Sequence, residues 1–343
     1  MAKIYKPKRM LVTGGAGFIG CNFIRFVLSE FTDVEIVNLD ALTYAGSLGN
    51  LEDLPQPDKH HFVHGNIADK QLVKGIFSEY EIDTVVHFAA ESHVDRSIIE
   101  PSAFVETNIV GTFTLLEAAR DYWMNERKWG VENCRFHHVS TDEVYGSLGR
   151  DDSPFSEQSP YLPSSPYSAS KAAADHMVRA YCHTYGLPVT ISNCSNNYGP
   201  FQHQEKFIPT IIRSCIEGKP IPVYGDGSNI RDWLHVLDHC AGIILVIQRG
   251  KVGETYNIGG DNEWKNLSIV KLICSLMDSY RPAGAPHEKL ITFVKDRPGH
   301  DWRYSIDSTK IKKELGWKPE KDFRTGLKET TKWYLERRPW DKS

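Results

Sequence analysis

The sequence predicts a doubly wound α/β fold: a mostly parallel sheet covered by helices on both faces, followed by a smaller, irregular C-terminal lobe. Across the first 195 residues, short apolar runs alternate with stretches of helical periodicity, the pattern of parallel strands joined by crossover helices. A glycine-rich turn connects the first strand to the first helix. Beyond residue 195 this alternation gives way to turn-rich segments separated by a few helices.

Each element of the first lobe follows from its local pattern. Helices are expected over 18–31, 70–80, 102–124 and 168–185, and later over 205–217, 238–248 and 267–280. The helix 238–248 is expected to pack back on the first lobe. We therefore assign residues 1–195 and about 233–258 to the sheet domain, and about 196–232 and 259–343 to the second lobe, with a shared cleft between them. The predicted strands are Arg9–Thr13, Val34–Leu39, His61–His64, Thr84–Phe88, Phe136–Ser140 and Val189–Asn193.

Composition excludes several classes of partner. The 343 residues carry 40 basic and 44 acidic side chains, a net charge of −4, so no basic field favours nucleic acid or an anionic membrane. No apolar run approaches the roughly 18 residues of a membrane span. The seven cysteines are scattered without a Cys-x-x-Cys pair, which favours reduced thiols in a cytoplasmic protein.

The glycine-rich turn, Gly14-Gly-Ala-Gly17-Phe-Ile-Gly20, has dinucleotide-binding spacing. Glycines there permit a tight turn and a close approach to a pyrophosphate, which the N-terminus of the following helix attracts. Asp40 ends the next predicted strand, and its carboxylate suits an adenosine ribose and repels a 2′-phosphate. The first domain is therefore predicted to be a Rossmann-type domain that binds NAD, although an ordinary glycine turn would share part of this pattern.

Two groups of residues are candidates for catalysis. Tyr167 and Lys171 lie four positions apart on a predicted helix, where an ammonium can lower the pKa of a phenol; alone, this spacing more often marks two surface residues. Thr141, Asp142 and Glu143 follow a strand at its carboxyl end, where ligands bind in such sheets. Two adjacent carboxyls there can divide acid and base roles, or form a solvated acidic turn.

The histidines show no metal-ligand spacing, so no metal is expected. A packing role is predicted for His87, His93, His137 and His138.

Taken together, these motifs resemble the extended short-chain dehydrogenase/reductases, and among them the branch that dehydrates nucleotide-activated hexoses. The Thr141-Asp142-Glu143 triplet separates this branch from epimerases, which typically lack the acid pair, and from decarboxylases, which typically carry Ser at the position of Asp142. The resemblance covers nearly the whole chain and is most specific at Ala90–Ser97, Ser140–Gly146, Tyr167–Lys171, Asn193–Pro200, Arg231–Trp233 and Asp296–His300.

The resemblance implies a three-step reaction, with dTDP-glucose as the expected substrate and UDP-glucose left open. Tyr167, aided by Lys171 and Thr141, oxidises C4 of the glucose with NAD⁺. Glu143 then removes the C5 proton while Asp142 protonates the C6 hydroxyl, and water leaves. Hydride return to C6, with reprotonation of C5, gives the 4-keto-6-deoxy sugar.

The motifs and the resemblance together assign residues to the two ligands. For NAD they are Gly14, Gly17, Phe18, Ile19, Gly20, Asp40, Ala41, Leu42, Thr43, Asn66, Ile67, Ala89, Ala90, Ser92, Thr107, Tyr167 and Lys171. For the nucleotide sugar they are Ser92, Thr141, Asn196, Lys206, Phe207, Ile208, Pro209, Pro222, Val223, Tyr224, Arg231, Asn266, Asp296, Arg297 and His300.

The chain departs from the family pattern at two places. Asn66 stands where an aspartate is usual near the adenine, which predicts an altered adenine contact. The stretch between Glu143 and Tyr167 is shorter than in many members, which leaves its role at the cleft mouth open.

The resemblance also implies a homodimer formed through helices 102–124 and 168–185. Outward apolar residues such as Tyr122, Trp123 and Tyr181 would serve it, unless they pack within the protomer. The alternatives for function are a UDP-sugar 4-epimerase or decarboxylase, and a dinucleotide-sensing protein without turnover.

Overall fold

The fold was analysed in a computed structural model, which describes residues 4–296 and 300–337. The strands are β1 (Arg9–Thr13), β2 (Glu35–Asp40), β3 (His60–His64), β4 (Thr84–His87), β5 (Arg135–Thr141), β6 (Val189–Cys194), β7 (Asn196–Tyr198), β8 (Ile221–Tyr224), β9 (Ile230–His235), β10 (Thr255–Ile258), β11 (Glu263–Lys265), β12 (Ile291–Val294) and β13 (Arg303–Tyr304). The α-helices are α1 (Phe18–Glu30), α2 (Lys70–Glu79), α3 (Val94–Ile99), α4 (Ser102–Phe104), α5 (Thr112–Ala119), α6 (Pro166–Tyr185), α7 (Phe207–Glu217), α8 (Val236–Arg249), α9 (Asn266–Tyr280), α10 (Thr309–Leu315) and α11 (Phe323–Arg337).

A seven-stranded sheet in the order β10-β6-β5-β4-β1-β2-β3 forms the centre of the described chain. All its neighbours pair in parallel. Helices cover both faces: Met10 and Val12 of β1 join the core against α1 and α8, whereas Leu11 joins the core against α2, α5 and α6. The predicted fold class is thus confirmed.

The order of the strands places the ligand cleft. From β1 the chain runs outward to β2 and β3 and then returns to β4 on the other side of β1. Open parallel sheets bind ligands beyond the carboxyl ends of the strands at such a reversal. The segments after β1, β2, β4, β5 and β6 therefore face one cleft.

The sequence pattern did not reveal β10 as a strand. Its four residues are all buried and pair with β6 along the edge of the sheet. Helix α8 precedes β10 and packs on the large sheet beside α1. This agrees with the predicted packing of 238–248 on the first lobe. A four-residue run is too short for periodicity to separate it from a loop.

The helix predicted over 102–124 is interrupted by π-helical turns. α4 and α5 alternate with π-helical segments at Val105–Gly111 and Arg120–Glu126, a geometry common at functional sites. Contrary to the expectation of outward apolar residues, Tyr122, Trp123 and Tyr181 are at most 5% exposed. They pack within the protomer against the sheet, because aromatic rings on this side fill the space beside Phe77 and Phe136.

Two smaller sheets follow in the second half of the chain. β11, β9 and β13 form one sheet, with β7 added to β9, while β12 pairs with β8. The predicted limits of the two lobes are not tested by these pairings. In the described part of the chain, no helix combines the length and apolarity needed to span a bilayer.

Candidate functional site

The turn after β1 has the backbone of an anion cradle. Gly14 has a φ of +73°, and a Cβ there would come within 2.7 Å of the Ala89 amide nitrogen. A Cβ on Gly20 would collide with the Gly14 carbonyl, so both positions require glycine. Helix α1 begins after Gly17 with no acidic side chain in its first turn, which leaves its positive end available to a phosphate. These features fit a bound dinucleotide.

Asp40, at the end of β2, is held at the mouth of this cradle. Its Oδ2 accepts from the Ala16 amide and its Oδ1 from the Leu42 amide, both at 2.8 Å. These bonds fix the carboxylate, and each oxygen keeps a second acceptor site for a ribose hydroxyl.

Asn66 is also engaged by the backbone. Its Oδ1 accepts from the Ala68 amide at 2.9 Å. The amide oxygen, expected to accept from adenine, is thus partly used by a local turn, and the Nδ2 group remains as a donor.

A cleft of about 330 Å³ runs across the carboxyl ends of the strands. It brings together all five residues predicted for catalysis and all those predicted for NAD except Leu42, which contacts Asp40 from outside. Four of the predicted sugar-nucleotide residues also line it: Ser92, Thr141, Asn196 and Lys206.

Sequence reasoning missed several lining residues. Cys194 ends β6, and Ser195, Asn197, Gln202 and His203 follow it along the cleft wall. The rule that ligands bind at strand ends would have identified Cys194. Gln202 and His203 lie in a loop whose course no local pattern predicts.

The predicted acid–base triplet begins where β5 ends. The Thr141 hydroxyl donates to Asp142 Oδ1 and accepts from the Glu143 amide, both at 3.3 Å. Asp142 is 2% exposed, and its Oδ2 has no hydrogen-bond partner among the described residues. Burial, followed by the charge of Glu143, raises the pKa of Asp142 well above its usual range. Its surroundings therefore favour the protonated form of Asp142, whereas the adjacent Glu143 is only partly buried.

Tyr167 lies in the first turn of α6, as predicted from Pro166. Burial, followed by the charge of Glu143, raises the pKa of Tyr167 well above its ordinary value, and a hydrogen bond with Thr141 opposes this. The Lys171 ammonium donates to the Val139 carbonyl at 2.8 Å. The expected lowering of the phenol pKa by this ammonium is therefore outweighed in the protein alone, because burial and a carboxylate act in the opposite direction.

The remaining residues predicted for the sugar nucleotide lie beyond this cleft. Ile208 and Val223 are buried in a hydrophobic core that includes residues of α7, α9 and α11. Pro209 is also buried, and Phe207 stacks on Trp233. In β8, side chains alternate, so that Pro222 and Tyr224 are exposed. These placements leave their predicted contacts untested.

Arg231 lies on β9 and is 6% exposed. Its guanidinium donates to the carbonyls of Ile230 at 2.7 Å and Asp301 at 3.0 Å, and it covers the Tyr304 ring at 4.3 Å. Its charge also lowers the pKa of Asp142, which places it near the acid pair.

Three further predicted residues surround this region. The Asn266 amide donates to the Asn229 carbonyl at 2.9 Å, and its side-chain oxygen is buried without a hydrogen-bond partner among the described residues. Asp296 Oδ1 and His300 Nδ1 are 2.6 Å apart. Arg297 lies outside the described residues.

The short stretch between Glu143 and Tyr167 is tied to the C-terminal part of the chain. Leu148 and Phe155 form isolated bridges with Arg303 and Ile306, and Arg303 donates to the Asp152 carbonyl at 2.8 Å. The stretch therefore packs against the segment 303–306.

Known proteins resemble this chain along almost its entire length. A family model described as GDP-mannose 4,6 dehydratase matches residues 11–330. The dTDP-glucose 4,6-dehydratase of Salmonella typhimurium is 52% identical over 340 residues, covering 97% of this chain and 94% of the relative.

Solved structures of both dehydratases and epimerases resemble this chain. The crystal structure of dTDP-glucose 4,6-dehydratase from Streptomyces venezuelae, determined with NAD bound, is 47% identical with a TM-score of 0.88, covering 97% and 98% of the two chains. UDP-glucose 4-epimerase from Thermotoga maritima, determined with UDP-glucose, has a TM-score of 0.84 but only 26% identity, covering 96% and 99%. The fold is thus shared with epimerases, while the sequence is much closer to dehydratases.

Proposed function

Because the chain belongs to the dTDP-glucose 4,6-dehydratase family, we propose that it is an NAD-dependent hydro-lyase converting dTDP-glucose to dTDP-4-keto-6-deoxyglucose and water. The observation that carries this proposal is the cleft itself. An acid pair, a tyrosine and a lysine line the same space as a glycine turn suited to a dinucleotide.

The first step needs a base at the C4 hydroxyl. A nicotinamide cofactor held by the glycine turn and Asp40 would accept the hydride from C4 and, once reduced, would return it to C6. Tyr167 takes the hydroxyl proton, and the Thr141 hydroxyl favours the ionised phenol by turning its one hydrogen from Asp142 to the phenolate. The positive charges of Lys171 and the cofactor would offset the effect of burial on Tyr167.

The elimination needs a base and an acid in different protonation states. Glu143, less buried than Asp142, removes the C5 proton that the C4 ketone has acidified. Asp142, whose burial favours the protonated form, delivers its proton to the C6 hydroxyl, which leaves as water. The unequal environments of two adjacent carboxyls thus provide both roles.

The finer assignments form part of the same proposal. They are the residue lists for NAD and for the nucleotide sugar given above, the division into lobes at 1–195 with 233–258 and at 196–232 with 259–343, and a cytoplasmic location.

We also propose a homodimer that pairs helices 102–124 and 168–185. With Tyr122, Trp123 and Tyr181 buried, its apolar contacts would come from exposed residues such as Val105 and Tyr185, which are 50% and 43% exposed.

Parallel incubation with dTDP-glucose and UDP-glucose tests the reaction and the nucleotide together. Loss of one water from the dTDP sugar, read by mass spectrometry, is the expected result. Formation of a C4 epimer without mass loss would show an epimerase instead.

Tyr167→Phe should abolish turnover while NAD stays bound; a variant with undiminished turnover would remove Tyr167 from the mechanism.

A further inference from the structure

Helix α6 extends the Tyr167–Lys171 pair into a longer row. Asp175 and Arg179 continue the same spacing of four residues, so the four side chains share one face of the helix. Tyr167 and Lys171 line the cleft, whereas Asp175 is completely buried behind them. A carboxylate in such a place must be stabilised by specific partners.

The His138 ring lies between Lys171 and Asp175. Its Nε2 is 3.4 Å from Lys171 Nζ and 3.2 Å from Asp175 Oδ1. The side chains of His138 and Asp175 are both 0% exposed. One ring nitrogen therefore faces a cation on one side and an anion on the other. A neutral ring nitrogen either accepts or donates a hydrogen bond, so Asp175 acts on Lys171 by its charge across the ring and not through a chain of hydrogen bonds.

The surroundings keep His138 neutral and Asp175 ionised. Burial and the nearby Lys171 charge lower the pKa of His138 to about 4. The Asp175 pKa is lowered by its contact with His138 despite burial, and its Oδ2 accepts from Ser140 at 2.9 Å and from Tyr161 at 2.8 Å. The cluster thus holds one buried anion beside one buried cation.

The ammonium of Lys171 depends on this anion. Burial lowers the pKa of Lys171, and the Asp175 carboxylate is the largest influence that raises it. The titratable or charged groups facing this cluster are His87 on β4, His137 and His138 on β5, Tyr145 after β5, Cys194 on β6, Tyr167, Asp175 and Arg179 on α6, and Tyr161 before α6.

We propose that the Asp175 charge, acting on Lys171 across the His138 ring, keeps Lys171 protonated and fixes its ammonium at the edge of the cleft. Asp175 and His138 are positioning residues, because neither lines the cleft. This role rests on the function proposed above, since it matters for turnover only if Lys171 assists Tyr167.

The test measures the protonation of Lys171 without any turnover. Acetylation of the lysines by a small reagent is followed across a pH series, and the extent at Lys171 is read by peptide mass spectrometry, because only the neutral amine reacts. Asp175→Asn removes the charge and keeps the shape. The pH of half-maximal labelling should fall by about 1–2 units, as expected for loss of a neighbouring opposite charge.

Matched variants separate charge from packing. Tyr161→Phe removes a hydrogen bond to the same carboxylate but keeps its charge, so the labelling pH should stay close to that of the wild type. If Asp175→Asn fails to fold, His138→Leu, which removes the acceptor beside Lys171 and buries both charges further, should lower the labelling pH. His138→Gln, which keeps an acceptor there, should lower it less.

Turnover distinguishes the two proposals. With dTDP-glucose, the pH above which kcat declines should be lower in Asp175→Asn than in the wild type, and it should shift together with the labelling pH. If the labelling pH of Lys171 is the same in the wild type and in both Asp175→Asn and His138→Leu, the positioning role is overturned whether or not the protein is a dehydratase. A normal labelling shift without any dehydration would instead reject the proposed function alone.

Discussion

Replacing Asp142 with Asn separates its role in stability from its role in the reaction. Asn is neutral and nearly the same shape, so it resembles the protonated acid that the folded protein holds. The folded-state pKa of Asp142 is raised, mainly by burial, whereas in the unfolded chain it lies near 3.9. The wild type therefore loses stability as the pH rises from the unfolded pKa to the folded one, and Asp142→Asn should not.

The slope of this difference follows from linkage. Between the unfolded and folded pKa values, the wild type should lose about 1.4 kcal/mol per pH unit relative to Asp142→Asn. A chain of this length has an unfolding entropy that converts 1 kcal/mol to about 1–2 °C in Tm. The variant should therefore gain roughly 2 °C over the wild type for each pH unit above 4, until the folded pKa is reached.

The same variant should lose activity. Without a proton donor, the elimination should slow by roughly 10²–10⁴-fold, the usual contribution of a general acid. A substrate carrying fluoride at C6, whose departure needs less protonation, should be slowed less.

Thermal melts at a series of pH values, beside single-turnover assays with both substrates, check these expectations. Asp58→Asn, at an exposed position, serves as the control and should show no comparable slope. A Tm difference that stays flat with pH would mean that Asp142 is ionised in the fold. Equal slowing with both substrates would refute its role as the acid.

Two further variants address the base and the adenine contact. Glu143→Gln should still oxidise the sugar, seen as a rise in reduced-nicotinamide absorbance, but should release no dehydrated product; loss of both steps together would contradict a specific role as the base. Asn66→Asp places a charged acceptor beside the adenine, and since hydrogen bonds to charged groups are stronger by about 1 kcal/mol, NAD should bind about fivefold more tightly by calorimetry; unchanged affinity would show that residue 66 does not contact the adenine.

The sequence predicted those features that depend on local pattern and strand order. The glycine turn, Asp40 and the Thr141–Glu143 triplet all lie at strand ends, so knowing the strands was enough to place them together. The cluster of His138 and Asp175 could not be predicted in the same way, because its partners come from β5 and α6 and only burial makes them interact. The spacing of four residues along α6 would, however, have indicated that Asp175 lies on the same helix face as Tyr167 and Lys171.

Other misses have a similar cause. β10 was missed because a four-residue buried strand carries no periodicity, and its place depends on pairing with β6. Tyr122 and Tyr181 were expected to face outward because helical spacing alone does not show which face meets the sheet. Long-range packing decides both, and no short window of sequence contains it.

Strand β10 lies at the edge of the seven-stranded sheet but comes after β7, β8 and β9 in the sequence. This order limits how the chain can be truncated or recombined. The chain leaves the sheet after β6, contributes β7, β8 and β9 elsewhere, and only then returns with β10. A fragment ending near residue 195 would leave β6 with an unsatisfied edge and the α8 side of the core bare, so it should aggregate. With the lobes proposed at 196–232 and 259–343, a chimera that exchanges the second lobe between relatives would need three junctions, because β10 returns to the large sheet between its two parts.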